Sequence, residues 1–128
     1  MTSNWSELIL RNFGKASATY QQEAKLQKKF AWLLAEKCSR EKIPEGEWAD
    51  LGSGTGLLAE ALETLHPKQS VIRIDGSKEM LAQHQSKNQT EVWDLNFGLP
   101  SWSKRPALLA SSFALHWLNN PTERIEEW

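Results

Sequence analysis

Three glycines, Gly52, Gly54 and Gly56, stand in the string Asp50-Leu51-Gly52-Ser53-Gly54-Thr55-Gly56-Leu57-Leu58, and this is where the chain is best equipped for chemistry. Residues without a Cβ let the backbone turn tightly and let a ligand approach it closely. Leu57, Leu58, Ala61, Leu62 and Leu65 repeat at helical spacing directly behind them. The free N–H groups and the dipole at such a helix start favour an anionic or electron-rich group. Glycine spacing narrows the ligand further. A dinucleotide fingerprint needs G-x-G-x-x-G, and Leu57 stands where its third glycine belongs. A phosphate-binding P-loop ends in Gly-Lys-Ser/Thr, which this string lacks. Asp50, directly before Leu51-Gly52, suits a ligand that carries an ammonium group.

Four further positions carry chemistry. Asp75 ends the apolar run Val71-Ile72-Arg73-Ile74, about 19 residues past Gly56. In a nucleotide-binding α/β sheet an acid at that strand tip accepts hydrogen bonds from the ribose hydroxyls. Gly76 follows, then Ser77 as an N-cap with Glu79 and Met80 in the first helical turn. Asp94 ends the short run Glu91–Leu95, although an Asp-x-Asn pair is also ordinary turn chemistry. Ser111 closes the apolar run 106–112, and His116 beyond it is the residue there able to move a proton. A packing histidine is the commoner occupant of such a place. His84 has no histidine or carboxylate at ligand spacing and reads as solvated surface. Cys38 is the only cysteine, so neither a disulfide frame nor a thiolate metal cluster is expected, and its helical apolar face makes it a packing residue.

The elements that position these residues follow from pattern. Residues 1–45 read as a helical cover. Asn4 and Glu7 can form a capping box ahead of Leu8, Ile9, Leu10 and Phe13, and Gly14 ends that short helix. A second helix starts near Ser17 or Thr19, with Leu26, Phe30, Leu33, Leu34 and Cys38 as its apolar stripe and Lys25, Lys28 and Lys29 facing water. Residues 46–128 then read as strands alternating with helices: strands ending at Leu51, Asp75 and Leu95, a fourth over 106–112 buried on both faces, and a last polar helix opened by Pro121. With 128 residues the chain is one domain. A net charge of −1 without a long basic run gives no case for nucleic acid or an anionic membrane. No apolar run is long enough to span a bilayer, and Met1–Trp5 lacks the basic start and apolar core of a signal peptide, so a cytoplasmic place is expected.

Asp-Leu-Gly-x-Gly-Thr-Gly at residues 50–56 resembles motif I of the class I S-adenosylmethionine (SAM) dependent methyltransferases, with Ser53 where that family often has cysteine. Asp75-x-Ser77-x-x-Met80-Leu81 resembles their motif II, and Ser111-Ser112-Phe113-Ala114-Leu115-His116-Trp117 resembles the segment after their fourth strand. Phe13-Gly14-Lys15-Ala16, Tyr20 and Ala24-Lys25-Leu26-Gln27 resemble the N-terminal signature of the malonyl-carrier-protein O-methyltransferases of biotin synthesis. The resemblance implies SAM as cofactor. Tyr20 and Ser111 would lie near its methionine end, Asp50 with Gly52, Ser53, Gly54 and Gly56 along the loop, Asp75 at the ribose, and Gly76, Met80, Asp94 and Leu95 around the adenine. It also implies a small acid or a carrier-protein-bound carboxylate as methyl acceptor.

An α/β fold is expected, a Rossmann-like parallel sheet in the order 3-2-1-4 with helices on both faces, and Gly52, Asp75, Asp94 and Ser111 gathered at the carboxyl ends of its strands. The family continues with further strands after the fourth, so a truncated form of the domain is expected here, with an open strand-4 edge able to self-associate. Two alternatives stay open: a methyltransferase for another small acceptor with His116 as base, and a SAM-binding or interaction module without activity of its own.

Overall fold

The computed structural model describes residues 17–85 and 88–128, the first five of them in backbone alone. The capping box at Asn4 and Glu7 and the side chain of Tyr20 lie outside what is described. Helix α1 spans Ser17–Ser39 and is followed by β1 (Trp48–Leu51), α2 (Leu57–Leu65), β2 (Val71–Asp75), the single turn α3 (Lys78–Leu81), β3 (Thr90–Val92), β4 (Leu108–Ala110) and α4 (Pro121–Glu127). Short 3-10 turns at Leu95–Phe97 and Leu115–Trp117 flank β4.

The four strands form one sheet in the order β3-β2-β1-β4, and every pairing is parallel. Trp48 stands opposite both Val71 and Leu108, so β1 is central. Side chains alternate along it. Trp48 packs with Val71, Ala110 and the helices α1 and α2, whereas Ala49 and Leu51 join Ile72, Ile74 and Leu95 on the opposite face. That second face is covered by Trp93, Leu99, Trp102, Leu118 and Trp128, from turns and from the residue after α4. Helices α1 and α2 thus pack on one face, and turns together with the end of α4 cover the other. No helix among the described residues is long and apolar enough to cross a membrane.

Helix α1 turns a different face inward from the one its large apolar residues indicate. Ala31 and Ala35 are its buried residues, with Trp32, Leu34 and Cys38 partly buried beside them, while Leu26, Phe30 and Leu33 stay nearly half exposed. The reason is steric. Ala31 and Ala35 are small, and they let α1 lie closer to α2 than leucines there would. Strand β4 departs in a similar way. It is shorter than the 106–112 run, pairs among the described residues only with β1, and leaves Leu108 and Leu109 partly exposed, so burial on both faces is corrected for those two residues.

One charge is buried in the sheet. Arg73, in the middle of β2, is 1% exposed and pairs through its guanidinium with Glu63 of α2, whose other oxygen accepts the Val71 N–H at 3.2 Å. Arg73 stands opposite Asp50 in the β1–β2 register, so two ionisable side chains share the helix-covered face.

The glycine turn is locked into this frame by contact. Gly52 and Ser53 both donate their N–H to the Ile74 carbonyl, at 2.8 and 2.9 Å. Gly52 has φ +72°, and a Cβ there would lie 2.5 Å from the Ala114 Cβ. Gly52→Ala is therefore expected to destabilise the fold by about 2 kcal/mol or more, since left-handed strain adds to the clash. Urea denaturation of Gly52→Ala and of Gly52→Ala/Ala114→Gly separates the two contributions: the second change should recover the clash and leave the strain.

Candidate functional site

Asp75 stands at the tip of β2, and the glycine loop reaches it directly. Its Oδ2 accepts the Gly54 N–H at 2.9 Å and its Oδ1 accepts the Ser77 N–H at 2.8 Å. A carboxylate oxygen has two lone-pair directions, so each keeps one for a hydroxyl donor. The separation of more than ~10 Å that one ribose-sized ligand could not bridge is thus avoided by a wide margin. Ser77 then caps α3 by accepting the Met80 N–H on its hydroxyl, as the sequence leads one to expect. At Gly54 (φ +53°) a Cβ would meet only the Met80 methyl, in ordinary contact at 3.9 Å. Loop, acid and methionine form one shelf at the carboxyl end of the sheet.

The remaining candidates are placed in different ways. Ser111 donates its hydroxyl to the Leu51 carbonyl at 2.8 Å, which ties the end of β4 to the start of the glycine turn. Asp94 lies two residues beyond the end of β3, exposed, and caps a 3-10 turn by accepting the Asn96 N–H at 2.9 Å. Its backbone adjoins Gly76, where an added Cβ would lie 4.0 Å from the Asp94 Cα. The Leu95 side chain is buried in the core of the second sheet face, so only its backbone is available to a ligand. Ser53 is buried and its hydroxyl has no protein partner. His116 is exposed in the 3-10 turn after β4, its ring beside Trp117. No cluster of three metal-ligating side chains occurs among the described residues.

Asp50 lies beneath the loop and not on it, at 1% exposure, with Oδ2 lacking a partner. Burial pushes its carboxyl up to about 7, against the opposing pull of the Ala59 N–H and the Arg73 guanidinium. The sign of the linkage follows from this. An unfolded aspartate ionises near 3.8 while the folded one holds its proton to about 7. The stability from the neutral form is complete below about pH 4 and lost as the pH rises through about 7, at roughly 1.4 kcal/mol per unit between those limits. Asp50→Asn should flatten that dependence, and urea melts at pH 5 and pH 8 compare the two proteins directly.

Three residues around the shelf escape sequence pattern. His84 is half buried, not solvated: its Nε2 lies 2.8 Å from the Gly54 carbonyl oxygen, and its ring fills the space where a Gly56 Cβ would be. The two partners are thirty residues apart, so no local spacing announces them. Ala114 is matched to Gly52 by size alone. Phe113 has φ +56°, the only positive φ outside glycine among the described residues, and its ring centroid lies 6.0 Å from that of Phe30 on α1. Such backbone strain concentrates at functional sites.

Comparison with known proteins agrees with this geometry. Residues 49–128 match the family model described as a methyltransferase domain. A malonyl-[acyl-carrier protein] O-methyltransferase of Neorickettsia risticii (strain Illinois) is 32% identical over 121 residues, covering 91% of this chain and 48% of that protein. The protein of the same name from Laribacter hongkongensis (strain HLHK9) is 28% identical over 134 residues, with coverage of 94% and 45%. The chain thus spans about half the length of these curated relatives. Among solved structures, the plantazolicin methyltransferase BpumL in complex with SAH superposes with a TM-score of 0.58 at 17% identity, over 98% of this chain and 48% of that one. CalO1, a methyltransferase in calicheamicin biosynthesis in its SAH-bound form, superposes with a TM-score of 0.53 at 19% identity, over 71% and 30%. A four-stranded parallel sheet in the order 3-2-1-4, a glycine loop held to the acid of the second strand, and a family match over well over half the chain lead to one conclusion: this chain belongs to the class I SAM-dependent methyltransferases.

Proposed function

We propose that the shelf binds SAM and that the protein transfers its methyl group to a carboxylate oxygen on a small acid or on an acyl group carried by a carrier protein. The observation that carries the reading is the Gly54–Asp75 hydrogen bond, which sets a Cβ-free loop beside a carboxylate with lone pairs to spare. Asp75 would hold the ribose, and Gly54 with Met80 would leave room beside it. SAM supplies a sulfonium-bound methyl that is already strongly electrophilic. The protein then has mainly to align an oxygen with it. A carboxylate acceptor is ionised at neutral pH and needs no base, which suits a site where His84 is engaged with the Gly54 carbonyl and His116 stands exposed.

The names of the relatives support a malonyl group on an acyl carrier protein as acceptor, and with it a cytoplasmic step in biotin synthesis. A second reading rests on β4, whose outer edge has no partner among the described residues: a SAM-binding module that associates through that edge. Calorimetric titration with SAH, SAM and NAD tests the cofactor, accompanied by circular dichroism to establish folding. SAH and SAM should bind and NAD should not, because Leu57 takes the place of the dinucleotide glycine. Tighter binding of NAD than of SAM would overturn the reading. Methylation of a malonyl thioester that survives His116→Ala supports the carboxylate acceptor, and its loss with SAM binding intact supports a base. Solution mass at low concentration decides on association.

A further inference from the structure

We propose that His84 is a positioning residue for the glycine loop: its Nε2–H donates to the Gly54 carbonyl and fixes the Gly54–Thr55 peptide in the orientation that a ligand meets. The function assigned to this contact rests on the reading of the loop as the SAM cradle, although its geometry does not.

A carbonyl oxygen can only accept, so the Nε2 at 2.8 Å carries the proton. The same glycine is held at its other end, where its N–H donates to Asp75 Oδ2 at 2.9 Å. Both polar groups of Gly54 are therefore fixed by side chains. No peptide bond among the described residues is cis, and in a trans peptide the carbonyl of one residue and the N–H of the next point in opposite directions. Holding the Gly54 carbonyl towards His84 thus turns the Thr55 N–H away from it, at an exposed position of the loop.

The contacts close on themselves. Asp75 accepts from Gly54 and from Ser77, Ser77 accepts from Met80, the His84 N–H donates to the Leu81 carbonyl at 3.1 Å, and the His84 ring returns to Gly54. This circuit encloses the side of the shelf where Met80 lies. The ring is also a wall, since a Cβ on Gly56 would lie 2.7 Å from its Cε1. A glycine loop is intrinsically free to reorient its peptides, and binding would otherwise have to order it. His84 does that before the ligand arrives.

Two variants separate donation from bulk. His84→Phe keeps a ring against Gly56 and has no donor, and His84→Gln keeps a donor of comparable reach. Calorimetry with SAH should give an affinity about three- to tenfold weaker for His84→Phe and close to wild type for His84→Gln, with similar thermal melts. In the ligand-free protein, 15N spectra should give the Nε2–H tautomer for His84. The Thr55 amide signal should move in His84→Phe and stay in place in His84→Gln. Equal SAH affinity in His84→Phe and wild type, or an Nδ1–H tautomer, overturns the proposal. If wild type itself binds no SAH, the cofactor reading fails, and the Thr55 amide still decides whether His84 sets the loop.

Discussion

Asp75→Ala is expected to weaken SAH binding by at least about a hundredfold, the largest effect of any single change at the shelf. Two ribose hydroxyls would donate to this carboxylate, and hydrogen bonds to a charged group are worth roughly 1.5–3 kcal/mol each. The same change removes the acceptor for Gly54 and Ser77, so the loop and α3 lose their common anchor. Asp75→Asn keeps one acceptor oxygen and should fall between. Asp94→Ala should cost less, because Asp94 is exposed, water can replace part of what it offers, and its present partner is the Asn96 N–H of its own turn. Calorimetry across the three variants, with circular dichroism to establish folding, gives the order. An Asp75→Ala protein that is folded and binds SAH as well as wild type would remove the ribose assignment.

The largest effect on stability should come from Glu63→Ala. Arg73 is among the most deeply buried side chains of the described residues, and its Nε and Nη1 have no partner, so Glu63 is its single counter-charge in direct contact. Removing one member of a buried pair leaves an uncompensated charge and typically costs about 3–5 kcal/mol. A domain of this size has a total stability of about 5–15 kcal/mol, so much of the margin is at stake. Replacing both partners by uncharged residues of similar volume, Glu63→Gln with Arg73→Met, should cost far less, because no charge is then stranded. Urea denaturation of the single and double variants makes the comparison. A Glu63→Ala midpoint near that of wild type would mean that water reaches Arg73 from the helix side.

What was legible in the sequence is what local chemistry determines. Val71–Asp75 and Leu57–Leu65 have the limits their patterns indicate, since a β-branched run ending in an acid and a leucine face closed by His66-Pro67 are decided within a few residues. The cap at Ser77 and Pro121 at the start of α4 follow for the same reason. What was not legible depends on partners far along the chain. Leu26, Phe30 and Leu33 form an evident stripe, yet the helix rests on Ala31 and Ala35, whose small side chains let it lie close to α2. Arg73 has the appearance of a surface residue in an apolar strand until Glu63 is placed over it. Asp50 reads as a ligand contact from its motif and lies under the loop, where its burial raises its pKa. The expected strand through Asp94 stops at Val92 because Asp94 is taken up in capping the next turn, a competition foreshadowed by the Asp-x-Asn pattern.

The central place of β1 also sets an order of events during synthesis. Its first neighbour, β2, follows within a short stretch of chain, but its second, β4, leaves the ribosome some sixty residues after it. Parallel pairings of such separation are slow to form, because the entropy of closing the intervening chain is lost before any contact repays it. Until Ala114 arrives beside Gly52 and Ser111 reaches the Leu51 carbonyl, the glycine turn lacks one of its two sides. The nascent chain therefore holds the acid and the glycines together early, while its β4 flank closes only after residues 108–114 have emerged, and a ligand added during translation would meet a half-walled cradle.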